Sequence, residues 1–473
     1  MQRRDFIQLS TVSALWILGG CSMMEDDTTT LQGQGSNEKL NIPPLMKARY
    51  DADNIAQYDL KIQSSSHQFF KGVDTATYAM NGTYLAPTLV LKNGDEVSIN
   101  FTNTLKEPTT MHGHGMHVPP NMDGTPHQII PAGTSWSARY RVKQRACTNW
   151  YHPHYMGKTA QHVYKGLAGL IIVEDEEILN LDLPSRYGVD DIPLVLQDRF
   201  FDENKQLLYQ PSRRQLMRGY VGNIPVCNGQ IEPYIDLEAK LIRLRLLNGS
   251  NSTVYTLGFD NDMRFDQIAT DNALLEKPLT LQRLRLSPGE RAEIVLDLSG
   301  YKGKSLQLKD FEHNMLFVKL QVTLDATASN TLPSTLSTLD FYTADQAVRT
   351  RRFVLDGSMG SFSINGKQMD LNIINEEVPL DQIEIWEIEN KMMVWHNFHI
   401  HATHFVLLER DGSSAKVAAN EKGYKDVIAM PPNSSAKVIV KMSDYRDASV
   451  PYMYHCHFLE HEDHGMMGQF RVI

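Results

Sequence analysis

Several things are scarce or missing in this sequence. Cysteine is scarce: 473 residues contain four, so each has to be accounted for singly. Positive charge is short, since the formal net charge is −10 and no basic stripe appears, which argues against a nucleic-acid partner. Long hydrophobic runs are missing too. The apolar stretch from Leu9 to Gly20 is too short to span a membrane as a stable helix. Long amphipathic helices are absent, and the short helical candidates read as loop decorations. What is present is 42% apolar residues, enough for a sizeable core, and a length that suits two to four domains at about 150 residues each.

The N-terminus reads as a targeting segment. Arg3 and Arg4 precede Phe6 and the apolar run, as in a Tat signal, and Leu18-Gly19-Gly20-Cys21 reads as a bacterial lipobox. Residues 1–21 are therefore expected to be a Tat-type lipoprotein signal. The polar stretch 22–44 is expected to be a flexible tether. The protein would face the periplasm, and its one tie to the membrane would be a lipid at Cys21. In such an oxidising compartment Cys147 and Cys227 could pair.

Three internal repeats follow. Asn81-Gly82, Asn228-Gly229 and Asn365-Gly366 lie 147 and 137 residues apart. Each precedes an alternating stretch that ends in Asn: Val97 to Asn103, Leu241 to Asn248, and Ile383 to Asn390. Alternation over such lengths is a strand with one buried face. The period suits a whole β-sandwich, which gives an all-β chain with domains at 45–180, 190–325 and 340–473. The acidic stretch Glu174 to Pro193 and the Ser/Thr/Ala-rich stretch Leu324 to Leu339 are the expected linkers.

Histidine carries the chemistry. With 17 His in the chain, chance gives about 0.6 His-x-His pairs, and four occur. They are His112/His114, His152/His154, His399/His401 and His455/His457, at matching places in the first and third repeats. On a strand, residues two apart share a face at a spacing of about 6–7 Å, so each pair can reach one metal cluster while the residue between points away. Eight imidazoles suit copper, zinc, iron or nickel. Cys456 lies between His455 and His457, so its sulfur faces the other side of the strand. With His396, His461 and Met466 nearby it completes a blue-copper set of two His, one Cys and a weak axial Met.

The stretches MHGHG, WYHPH, WHNFHIHATHF and YHCHFLEHEDHGMM, in that order, resemble the multicopper oxidases over essentially the whole mature chain. MDGTPHQIIPAG and HFLEHEDHGMMG are most similar to bacterial copper-efflux oxidases, spore-coat laccases and bilirubin oxidases. The resemblance implies three cupredoxin-like Greek-key β-sandwiches and four copper ions. It puts the type 1 copper on His396, Cys456, His461 and Met466, and the type 2 copper on His112 and His399. One type 3 copper falls to His114, His152 and His457, the other to His154, His401 and His455. It makes Asp123 and Glu462 acidic proton relays, dioxygen the acceptor, and an exposed edge of His461 the port for the substrate's electron.

Some positions depart from the family. Gly113 stands where most members have Trp, and Asn397 where many have Pro. The 21 Met are scattered, without the Met-rich insertion of the copper-efflux oxidases, and Lys391 would repel a cuprous ion. These features favour a laccase-like oxidase of phenols or aromatic amines, expected to be monomeric, with a small-molecule reductant and dioxygen as its partners. A metal oxidase for cuprous, manganous or ferrous ions is the alternative. A non-catalytic copper-binding or division-associated protein would be expected to lack ligands, and none is missing here.

Overall fold

The computed structural model describes residues 38–327, 331–358 and 360–473. Arg3, Arg4, Cys21 and most of the expected tether lie outside the described residues. Among the described residues no helix is long and apolar enough to cross a membrane.

Six sheets pair into three β-sandwiches of the cupredoxin type, each closed over its own apolar core. In the first, a sheet ordered Leu45–Met46, Thr88–Lys92, Gly169–Glu174, Cys147–His152, His112–His114 faces one built on Ala56–Phe70 and Glu96–Asn103. In the third, a sheet ordered Glu376–Val378, Met467–Val472, Asp447–His455, His396–Ile400, Val427–Met430 faces one built on Ile383–Asn390 and Ser434–Lys441. The histidine-bearing strands thus lie side by side. His112 is paired with His152 in one sheet, and His399 with His455 in the other.

Ile383–Asn390 buries every second residue, as its alternation predicts. Leu241–Asn248 differs, because nearly all of it is buried. Its polar face, Arg243 and Arg245, does not meet water. Arg245 donates to Asp191 at 2.8 Å and to Thr148 Oγ1 of the first sandwich at 2.8 Å, and Arg243 is paired with Glu293. The outward face of the second sandwich is therefore an internal surface of the molecule. A buried cation is tolerated only when paired and hydrogen-bonded, and each of these is.

One open possibility is closed and one expectation is corrected. Cys147 and Cys227 are both free and buried, in the cores of the first and second sandwiches respectively, so they cannot pair. The end of the expected tether is fixed rather than flexible: Leu40 is buried in the second core and its N–H donates to Tyr234 O at 2.6 Å. The two linker stretches also pack, with Leu183 of one and Leu336 of the other in a shared apolar cluster on the second sandwich.

Arg291, fully buried at the start of Arg291–Asp297, is where the three sandwiches meet. It donates to Thr148 O at 3.0 Å, to Asn149 Oδ1 at 2.5 Å, and bidentately to Asp426 at 2.7 and 2.6 Å. Removing one partner of a buried pair leaves the other charge uncompensated, at a cost of about 3–5 kcal/mol. Arg291→Leu is therefore expected to lower stability by that amount, seen as a fall in the denaturant midpoint. A midpoint within experimental error of the parent's would show that this junction does not hold the sandwiches together.

Candidate metal centre

The side chains expected to ligate metal gather in two buried sets on opposite sides of one strand end. All ten histidines predicted as ligands, with Cys456 and Met466, are buried.

The larger set lies between the first and third sandwiches. Rings from the two sides stack, His112 on His401 with centroids 4.0 Å apart and His114 on His399 at 3.9 Å. His154 Nε2 and His401 Nε2 stand 3.2 and 3.0 Å from His455 Nε2. His152 Nε2 stands 3.4 Å from both His114 Nδ1 and His457 Nε2. The structure thus brings together the residues of the two triads that the family resemblance implies. His112 Nδ1 donates to Asp123 O at 2.7 Å and His399 Nδ1 to Asp426 O at 2.8 Å. Each bond fixes the tautomer and leaves a bare Nε2, and both of these atoms are buried without a partner. Buried imidazole lone pairs without a protein partner suit a metal cation.

In the smaller set Cys456 Sγ lies 3.4 Å from His396 Nδ1 and 3.8 Å from His461 Nδ1, and the two ring nitrogens are 3.0 Å apart. Met466 is buried in the same core, and its carbonyl accepts from Cys456 N–H at 3.0 Å. A thiolate converging with two imidazoles suits copper.

Burial sets the protonation states. It is the largest cause of the depression of the ring pKa values, with neighbouring imidazoles adding to it. His114, His152, His154, His399, His401, His457 and His461 are held well below the usual range. His396 and His455 fall to about 3. All of these rings are neutral near pH 7 and free to ligate. Burial also pushes the Cys456 thiol up to about 12, so its deprotonation needs the charge of a bound metal.

Asp123 and Glu462, expected from the resemblance to be proton relays, are both buried against the histidines. Asp123 Oδ2 accepts from His401 Nδ1 at 2.7 Å. Glu462 lies 3.4 Å from His154 Nδ1 and 3.3 Å from His455 Nδ1, and neither of its oxygens has a hydrogen bond. Burial, with Asp463 beside it, holds Glu462 well above the usual carboxyl range.

One expectation about access fails. His461 has no exposed edge. Phe362 stacks on its ring at 4.1 Å, and the backbone of Leu216 and Met217, in the helix Arg213–Arg218, lies against it. That helix belongs to the second sandwich, about 245 residues earlier in the chain, so no local pattern announces it. Sequence reasoning also missed two positioning groups. Asp426 accepts from His114 Nε2 at 3.0 Å and pairs with Arg291. Asn397 accepts the His457 N–H at 2.5 Å and donates to Pro288 O at 2.8 Å, which ties the strand between the two sets to the second sandwich. Its departure from Pro was the only signal. At Gly113, the space above the missing side chain is taken by Met116.

Two family profiles, both described as multicopper oxidase, match residues 61–178 and 333–473. The chain is similar to the multicopper oxidase mco of Staphylococcus aureus, 38% identical over 93% of each chain. It is also similar to the cell division protein FtsP of Photorhabdus laumondii, 31% identical over 100% of this chain and 98% of that one. Among solved structures it resembles the laccase-like multicopper oxidase CueO of Ochrobactrum sp., described as active towards lignin model compounds and lignosulfonate. That pair is 33% identical with a TM-score of 0.85, covering 92% of this chain and 100% of the other.

Gly124 sets the place of His112. It has φ +73°, and a Cβ there would lie 1.8 Å from Met111 O and 2.9 Å from His112 Cα. Gly124→Ala is expected to push the His112 strand out of place, so that copper bound per chain, measured by atomic absorption, falls. A variant that loads as the parent does would show that the strand's position does not depend on this turn.

Proposed function

The chain belongs to the multicopper oxidase family, and from that membership we propose that it is a laccase-like oxidase. It would take electrons singly from phenols or aromatic amines and reduce dioxygen to water with four bound copper ions. The observation that carries this reading is one tripeptide. Cys456 points into the smaller set, while His455 and His457 on either side point into the larger one. A covalent path of a few bonds therefore joins a site suited to collecting electrons to a site suited to spending them.

The ligand sets are those the resemblance implies: His396, Cys456, His461 and Met466 for type 1, His112 and His399 for type 2, and the two triads for type 3. Bound there, copper supplies reversible one-electron chemistry. The rest falls to the protein. Asp123 orients two rings, His112 through its carbonyl and His401 through its carboxylate, and so fixes which nitrogens face inward. Burial raises the Glu462 pKa and so favours a neutral carboxyl, close to His154 and His455. A neutral acid so placed can pass a proton inward and be refilled from outside. Each phenol gives up one electron and one proton, and one dioxygen with four of each leaves as two waters.

A second reading, oxidation of cuprous ion, has its own support. Met392 Sδ lies 3.1 Å from His396 Nε2, and Met217 Sδ accepts from Gly360 N–H at 2.9 Å in the helix that covers His461. Thioethers scattered in the sequence are thus gathered beside the smaller set, and soft ions favour thioethers. Oxygen uptake compared with a phenol, cuprous ion and manganous ion decides between the two. Faster turnover of cuprous ion than of any phenol would replace the laccase reading with this one. The proposal also includes Tat-type export, lipid attachment at Cys21 and a monomeric state, which intact-mass measurement of membrane-extracted protein would test.

The copper-loaded protein is expected to be blue, and Cys456→Ser to lose the colour and the oxidase activity together. A Ser variant that stays blue would contradict the type 1 assignment. Asp123→Asn and Glu462→Gln should keep their copper yet slow dioxygen reduction about a hundredfold. Loss of copper from either would mark that residue as structural instead.

A further inference from the structure

Beside the smaller set, a cleft of about 420 Å³ opens between the second and third sandwiches. The charges in its walls are already matched. Arg291 is held by Asp426, Lys425 by Asp271 at 3.0 Å and Glu290 at 2.9 Å, and Arg410 by Glu421. The charges at its rim are not matched in the same way. Arg285 is exposed and stands over the Trp395 ring, 5.3 Å from its centroid, and among the described residues no carboxylate pairs with it. Lys416 reaches only the exposed Asp411, at 3.8 Å. Arg283 pairs with Asp262, which does not line the cleft.

Trp395 is half-buried in the same wall, and among the described residues its indole N–H has no acceptor. One peptide bond separates it from His396. Ala429 and Pro431 also line the cleft, and they flank Met430, the strand partner of His396. The cleft thus combines an aromatic face, a free guanidinium and direct adjacency to the smaller set.

We propose that this cleft is a docking site for aromatic carboxylates, in which the exposed Arg285 swings off the Trp395 face to meet the carboxylate and the substrate ring takes its place on the indole. The proposal rests on the oxidase reading and names its substrate class. A guanidinium presents a planar fork that a carboxylate matches with two parallel hydrogen bonds. An exposed ion pair contributes little alone. Here the ring stacks beside it, and the two contacts fix one orientation. Lys416 adds to the positive field at the rim. That field disfavours metal cations at this cleft, so it serves organic reductants. A phenol held against Trp395 stands one residue from His396, and its carboxylate takes no part in the chemistry.

The test uses the copper-loaded protein. Trimethoxybenzoate, an aromatic carboxylate with no phenol to oxidise, is titrated by calorimetry. Turnover is measured with syringate and with its uncharged counterpart syringol. Arg285→Gln is expected to weaken trimethoxybenzoate binding about tenfold, the loss of one charge-assisted contact. It should raise KM for syringate about tenfold more than KM for syringol. Added salt should weaken trimethoxybenzoate binding to the parent. The site is overturned if trimethoxybenzoate fails to bind, if it binds the variant as tightly as the parent, or if the two KM values rise equally. If neither phenol is oxidised but the variant still weakens trimethoxybenzoate binding, the docking site stands and the oxidase reading falls.

Discussion

A single buried guanidinium organises this molecule. Arg291 comes from the second sandwich, holds the strand that leads to His152 through Thr148 and Asn149, and binds Asp426 of the third with both of its outer nitrogens. Asp426 in turn accepts from His114 of the first sandwich through its carboxylate and from His399 of the third through its carbonyl. The bonds that lock the three sandwiches together are therefore the bonds that orient rings contributed by two of them. A charge in such a dry place is stable only with every partner present, which makes the arrangement close to all-or-none. That rigidity is what a metal cluster shared between separate sandwiches requires.

The same burial decides the chemistry. Rings that would titrate near neutrality in water are kept neutral here, so they offer lone pairs at physiological pH. Backbone carbonyls take the Nδ1 protons of His112 and His399, and the bare Nε2 atoms turn inward. Burial raises the Glu462 pKa well above the usual carboxyl range, and its carboxyl lies beside His154 and His455. Asn397 joins the two sets mechanically, since it grips the His457 backbone and the second sandwich at once.

Much of the centre was legible because strands have a period of two. His112/His114 and His455/His457 each share a face for that reason, and Cys456 points the other way for the same reason. The three sandwiches were legible in the repeated Asn-Gly turns, all three of whose Asn residues adopt positive φ. What escaped depends on tertiary contact. Arg243 and Arg245 look like the solvent face of a strand, and only docking against the first sandwich buries them. Asp426 follows Lys425 in a stretch with no spacing signal, and its role appears only when Arg291 is brought to it. The helix Arg213–Arg218 closes over His461 from a distant part of the chain, so an exposed port was expected where the structure has a covered one. Cys147 and Cys227 could not be judged from sequence either, because a disulfide is a question of distance.

On the proposed reading, with His461 covered, electrons would enter towards His396, whose neighbour Trp395 lines an open cleft. On that reading the fold would be a relay with a solvent-facing start, a buried collecting site, a tripeptide bridge and a buried cluster that three sandwiches hold in place. The central claim is that the two sets act as one machine. It is tested most directly by measuring phenol oxidised, oxygen consumed and hydrogen peroxide formed in the same reaction. The account predicts four phenols per dioxygen and no peroxide. Two phenols per dioxygen, with peroxide as the product, would contradict it.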